Sequence, residues 1–201
     1  MNANPNPSAN APVTSIPRWR HALAACLLAL APGLAAAWDM AGLKTLTAHT
    51  RDGQHIVLGS VRFDPPTGAT VPFVVTLDPA RFTDFFLSMK EFKCVDGQSE
   101  VVCHVPYPYP QPRTVTATQL AWLEHSLMFM FKLPNEFGAK LWNGLYFRFE
   151  HTPTGLLGRA QSIDLNRISA PSATPDEPPF RAALRDDIAA GARWIDTLSI
   201  E

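Results

Sequence analysis

The sequence predicts an α+β domain in which a curved antiparallel sheet of about six or seven strands is packed by a central apolar helix and a C-terminal amphipathic helix. Three observations carry that expectation. β-Branched and aromatic runs flank turn residues such as Arg51-Asp52-Gly53. A strongly apolar stretch, Ala117 to Lys132, follows a capping-box spacing at Thr116 and Gln119. Near the end, Phe180, Leu184, Ile188, Ala192 and Ile195 recur at helical spacing.

The first 37 residues read as an address. Arg18 and Arg20 precede an apolar run from Ala22 to Ala31, and small residues, Ala35 and Ala37, stand before Trp38. This is the layout of a secretory signal peptide cleaved after about Ala37. Pro32-Gly33 interrupts the run well short of the about 18–20 apolar residues that span a bilayer. Upstream, residues 1–17 are rich in Asn, Pro and Ala and lack periodicity, as in a disordered extension. Leu23-Ala24-Ala25-Cys26 has the local form of a lipoprotein box, but Cys26 lies inside the apolar run and is discarded with the leader. Arg18-Trp19-Arg20 is an interrupted arginine pair, so export in the unfolded state is expected. The predicted mature protein is one exported domain, residues 38–201, periplasmic or secreted and without a membrane span.

Of the 201 residues 46% are hydrophobic, which is ample for a core and excludes wholesale disorder. The 17 basic and 18 acidic residues exclude the basic surplus of a general nucleic-acid binder. Both leader charges are arginines, so the mature chain keeps 15 bases against 18 acids and is mildly acidic, at −3. It also keeps only Cys94 and Cys103, which should pair in an oxidising compartment. Their eight-residue separation does not match redox or zinc spacing. Closing so short a loop contributes about 2.5 kcal/mol by the chain-entropy estimate.

The mature chain then reads in order. Leu43 to Thr50 and Gln54 to Asp64 form a hairpin, and Thr70 to Leu77 a third strand, with Pro72 marking an edge or a strand start. Asp78-Pro79 opens a helix carrying Phe82, Phe85, Phe86 and Met89. The period returns to two around Cys94 and Cys103, so that a disulfide between them would clamp a hairpin with Val95 opposite Val102. Pro106 to Pro112 alternates prolines with Tyr107 and Tyr109, a pattern that favours polyproline II. The helix expected from Ala117 has a narrow polar stripe through Thr118, Glu124, His125 and Lys132 and ends at Pro134. A short helix from Asn135 to Trp142 follows, then strands Leu145 to Glu150 and Leu156 to Leu165 about a turn at Thr152-Pro153-Thr154-Gly155. Ser169 to Pro179 is a linker, and the final amphipathic helix completes the chain. A weak echo links His49-Thr50 with Gly59 and Asp64 to His151-Thr152 with Gly158 and Asp164, and glycine inside a strand points to a bulge or bend.

Chemistry is sparse. No phosphate-binding glycine loop, HExxH, GxSxG, CxxC or EF-hand loop occurs. Glu124 and His125 are the best acid-base candidates, because an ionisable pair on so apolar a helix must find partners or reach solvent. The competing reading puts both on the solvated stripe. His104, at the end of the disulfide hairpin, is a third candidate. The mature histidines lack the spacing of metal ligands, and neither metal nor cofactor is expected. Tyr107 and Tyr109 offer aromatic faces on a stiff backbone for a protein or glycan partner, or they pack on the core. Met128 to Phe131 and Phe85, Phe86 and Met89 suit an apolar ligand or an ordinary core. The leading expectation is a non-enzymatic periplasmic or secreted binding or accessory module, its partner an unknown protein, glycan or apolar ligand. The alternative is an envelope hydrolase using Glu124 with His125 or His104 as an acid-base pair.

Overall fold

The computed structural model describes residues 38–168, 174 and 177–201. The leader and cleavage expectations lie outside the described residues, as does most of the expected linker. Two long hairpins form as the turn residues predict. Strands β1 (Gly42–Thr50) and β2 (His55–Phe63) flank Arg51-Asp52-Gly53, and β9 (Gly144–Thr152) and β10 (Gly155–Ile163) meet at a two-residue turn. Between them in sequence come β3 (Val71–Leu77), β4 (Thr83–Asp84), β5 (Lys93–Asp96), β6 (Val101–His104), β7 (Thr114–Val115), helix α1 (Ala121–Ser126) and β8 (Phe129–Lys132). After β10 come β11 (Asp186–Asp187) and β12 (Ile195–Ile200). The twelve strands of the described residues join one antiparallel sheet in the order β4-β5-β6-β8-β9-β10-β12-β1-β2-β3-β7, with β11 on β10.

The protein is therefore nearly all β, not the expected α+β sheet packed by central and C-terminal helices. The central helix stops at Ser126, and Phe129–Lys132 crosses into the sheet between β6 and β9. An apolar run without a clear polar face has no period that separates a buried strand from a buried helix. Here the β-prone Phe129 and Phe131 find open ladders on both sides, and tertiary pairing decides. The C-terminal helical spacing is coincidental. Ala182–Leu184 is a single 3-10 turn, Gly191 takes a left-handed φ of 74°, and the β-branched Ile195, Thr197 and Ile200 lie in β12. At Asp78 the predicted cap does form, its Oδ1 accepting from Ala80 N–H at 2.9 Å, but only one turn follows before β4. Residues 135–142 likewise make turns in place of a helix.

β12 splints the two hairpins. Ile200 stands opposite both Leu46 and Leu156, and Leu198 opposite both Ala48 and Gly158. Leu46, Leu156, Leu198 and Ile200 are all buried, each worth about 1.5–3 kcal/mol in removed apolar surface. The two echoing hairpins lie on either side of this splint, with β10 and β1 as its neighbours. Gly59 does mark a bulge between Leu46 and Thr47 of the facing strand. Its φ is 151°, and a Cβ there would meet Thr76 O at 2.1 Å.

At the other end, Cys94 and Cys103 face each other across β5 and β6 and are disulfide-bonded, with Val95 opposite Val102 as the spacing predicts. The segment after β6 then crosses to β3, where Phe73 N–H donates to Arg113 O at 2.9 Å. The sheet thus curls until the β3 edge and the end of β6 line one groove. No helix among the described residues is long and apolar enough to cross a membrane.

Candidate functional site

The groove between β3 and the Pro-Tyr segment is built by residues from three elements. The disulfide hairpin delivers His104, which is half-buried and held by a 3.0 Å hydrogen bond between its Nε2 and the Ser126 carbonyl at the end of α1. Burial lowers the His104 pKa, and the Ser126 bond opposes that shift. Ser126 Oγ donates to Gln111 Oε1 at 3.2 Å, which ties the crossing segment to the helix. Tyr107 stands edge-on to His125 at 4.7 Å and tilts against Trp122 at 6.1 Å, so it anchors the segment on α1. Tyr109 lies 5.4 Å from Tyr107 and is exposed. Opposite Tyr107 stand Phe73, Val75 and Leu77, and with Arg113 they line a groove of about 200 Å³.

Glu124 and His125 are both buried, not on a solvated stripe. The two neighbours live in opposite surroundings. Glu124 Oε1 accepts from Phe149 N–H at 2.8 Å, and Oε2 accepts from Tyr146 O–H at 2.9 Å. Arg185 Nη1 approaches Oε2 at 3.6 Å while its guanidinium lies 4.3 Å over the Tyr146 ring. Burial, then the Glu124 charge, raises the Tyr146 pKa well above the usual phenol value. Among the described residues His125 has no hydrogen-bond partner on either ring nitrogen, and it is enclosed by Tyr107, Trp122 and Phe180. Desolvation, helped by the Arg185 charge, lowers its pKa to about 3, so it is neutral at physiological pH.

The three acid-base candidates do not converge. Glu124 lines a separate cleft with Arg148, His151, Gln161 and Arg185, His104 lines the β3 groove, and His125 lines neither. Sequence reasoning missed the partners Tyr146 and Arg185, which lie 22 and 61 positions from Glu124 and are brought there only by the sheet. It also missed Gln111 and Arg113, although the proline alternation that ends beside Arg113 was a usable signal. Glu100 is a further buried carboxylate, accepting from Trp194 N–H at 3.0 Å and facing Arg193 at 3.4 Å. Among the described residues no three His, Cys, Asp or Glu gather as metal ligands. Comparison with family models, curated proteins and solved structures finds no match to this chain.

Proposed function

We propose that the protein is a non-enzymatic binding or accessory module, exported to the periplasm or the exterior, and that the groove beneath the Pro-Tyr segment is its binding surface. The observation that carries this reading is the groove's construction. A disulfide-closed hairpin feeds a stiff segment that is anchored by Tyr107, puts Gln111 and Arg113 on the groove wall and leaves Tyr109 exposed beside Tyr107. Such a preformed surface loses little entropy when a partner docks. The disulfide and the lack of a membrane-crossing helix among the described residues are compatible with a secreted protein. The hydrolase alternative has less behind it, since both Glu124 oxygens are occupied and His125 is buried with no proton-relay partner among the described residues.

The test is capture from an envelope extract by the mature chain, compared with Tyr109→Ala and Arg113→Gln. Both variants should retain the thermal transition of the parent and lose the specifically captured partner. Undiminished capture by both would remove the groove as the binding surface. Tyr107→Ala is less informative, because Tyr107 supports α1.

A further inference from the structure

Strand β3 carries a free backbone edge in the middle of the groove. Its register with β2 runs from Gly59 opposite Leu77 to Phe63 opposite Phe73. Pro72 O accepts from Asp64 N–H at 2.9 Å, and Asp78 N–H donates to Leu58 O at 2.8 Å. Even-numbered residues of β3 therefore turn their backbone groups toward β2, and odd-numbered ones turn away, since a strand alternates with a period of two. Phe73 uses that outer side to donate to Arg113 O. Val75 and Leu77 point the same way, but β7 reaches only Val71 and Pro72, and no other strand pairs there among the described residues.

The cause is chemical. Pro106, Pro108, Pro110 and Pro112 have no N–H to offer a ladder. At Arg113, whose φ of 51° is left-handed, the chain peels away from β3. The groove opens where pairing fails.

We propose that this groove receives the C-terminal end of an extended peptide from a partner protein, added to β3 as a strand with its free carboxylate at Arg113. The inference rests on the binding reading above and names its ligand. Direction follows from register. A peptide continuing the antiparallel sense of β7 enters beside Leu77 and runs toward Phe73, so its C-terminus meets Arg113. Charge agrees with direction. The groove lining contains no Asp or Glu, and Arg113 forms no ion pair among the described residues. A peptide of the opposite sense would bring its ammonium to the guanidinium. Gln111 adds an amide N–H donor beside the same end, since its Oε1 is taken by Ser126. The peptide residue opposite Val75 shares the inward face of that half-buried valine, which calls for an apolar side chain there.

The test uses synthetic random hexapeptides tethered by their N-termini, prepared both as free acids and as C-terminal amides. Binders should emerge from the acids, and amidation should weaken them about tenfold or more, the scale of a lost charge-assisted hydrogen bond. Arg113→Gln should erase the difference between acid and amide. N-methylation along a selected peptide should alternate between harmful and harmless with a period of two, a readout that leaves the protein unaltered. Equal binding of acid and amide, an N-methyl scan without alternation, or no binder among the acids would overturn the proposal. If envelope capture still depends on Tyr109 in that event, the binding reading stands and only this ligand falls. If capture is insensitive to Tyr109 and Arg113, the binding reading itself falls.

Discussion

Helix α1 separates two polar regions that handle the same problem in opposite ways. On one side Glu124, Tyr146, Arg185 and the Phe149 amide form a closed centre in which each carboxylate oxygen has a partner. On the other, β3 leaves the backbone groups of Val75 and Leu77 facing a groove with no strand to meet them among the described residues. A buried carboxylate without partners would be unaffordable, whereas backbone groups beside an open groove can be satisfied by water or by an incoming chain. On the proposed reading the first region serves stability and the second recognition, although the residues that looked most like chemistry belong to the first.

The largest effect should come from breaking the closed centre. Glu124→Ala strands the Arg185 guanidinium and the Tyr146 hydroxyl in a nearly dry site, and removing one partner of a buried pair costs about 3–5 kcal/mol. Glu124→Gln should recover part of that loss, because an amide oxygen can still accept from Phe149 N–H or from Tyr146. Denaturant unfolding measures both. A loss below about 1 kcal/mol for the alanine variant would mean that the centre is wetted and that the contrast with the groove is false.

Next comes the disulfide, which belongs to the groove side because β6 carries His104 to its wall. Replacing Cys94 and Cys103 together by Ser should cost about 2.5 kcal/mol, read as a shift in denaturant midpoint. Peptide or partner binding should weaken more than the stability change alone implies, since the hairpin end would no longer be fixed. Binding that is unaltered at temperatures where the variant is fully folded would show that the groove does not need the staple.

Much of the sheet was legible because local chemistry and global fold agree. Arg51-Asp52-Gly53 sits between two alternating runs, and Cys94 with Cys103 brackets a turn at hairpin distance. The failures cluster where local signals were silent or misleading. The Met128-Phe129-Met130-Phe131 run is compatible with helix or strand, and only the ladders of β6 and β9 choose between them. The C-terminal apolar spacing satisfied a helical period while β-branched residues were filling the slot between β1 and β10. For the site, burial of Glu124 could be argued to demand a partner, but Tyr146 and Arg185 become neighbours only through long-range pairing. The groove was half visible, since alternate prolines rule out a ladder partner, yet which strand would be left bare depends on topology.

His125 sharpens the comparison further, being a buried residue with neither ring nitrogen partnered among the described residues. Its folded pKa of about 3 lies below the ordinary histidine value, so the unfolded chain binds the proton more readily. The stability it permits is complete above about pH 6.5 and is lost as pH falls toward 3, by up to about 1.4 kcal/mol per pH unit for one group. His104, lowered in the same direction, adds to that slope. His125→Leu should remove one proton's worth of the slope and at neutral pH leave stability within about 1 kcal/mol of the parent, since it exchanges unpaired polar atoms for apolar ones of similar size. Chemical unfolding at pH 7.0, 6.0 and 5.0 distinguishes this from a histidine that holds a catalytic or structural bond, whose loss would destabilise at every pH.

The smallest effect on stability should fall at Arg113 on the groove wall and at the neighbouring exposed Tyr109. Tyr109→Ala removes an exposed ring that touches Tyr107, and Arg113→Gln removes a charge that holds no ion pair among the described residues while keeping the carbonyl that accepts from Phe73. Each should change unfolding free energy by less than about 0.5 kcal/mol, the range of surface substitutions. Arg113 occupies left-handed backbone, so Arg113→Gly should be neutral or slightly stabilising, because glycine adopts that φ without strain. Arg113 combines left-handed backbone with no ion pair among the described residues, and a measured gain on its removal would argue that its side chain is kept for binding and not for stability. A substantial loss in Arg113→Gly would instead make it structural and move the groove to the same side of the comparison as Glu124.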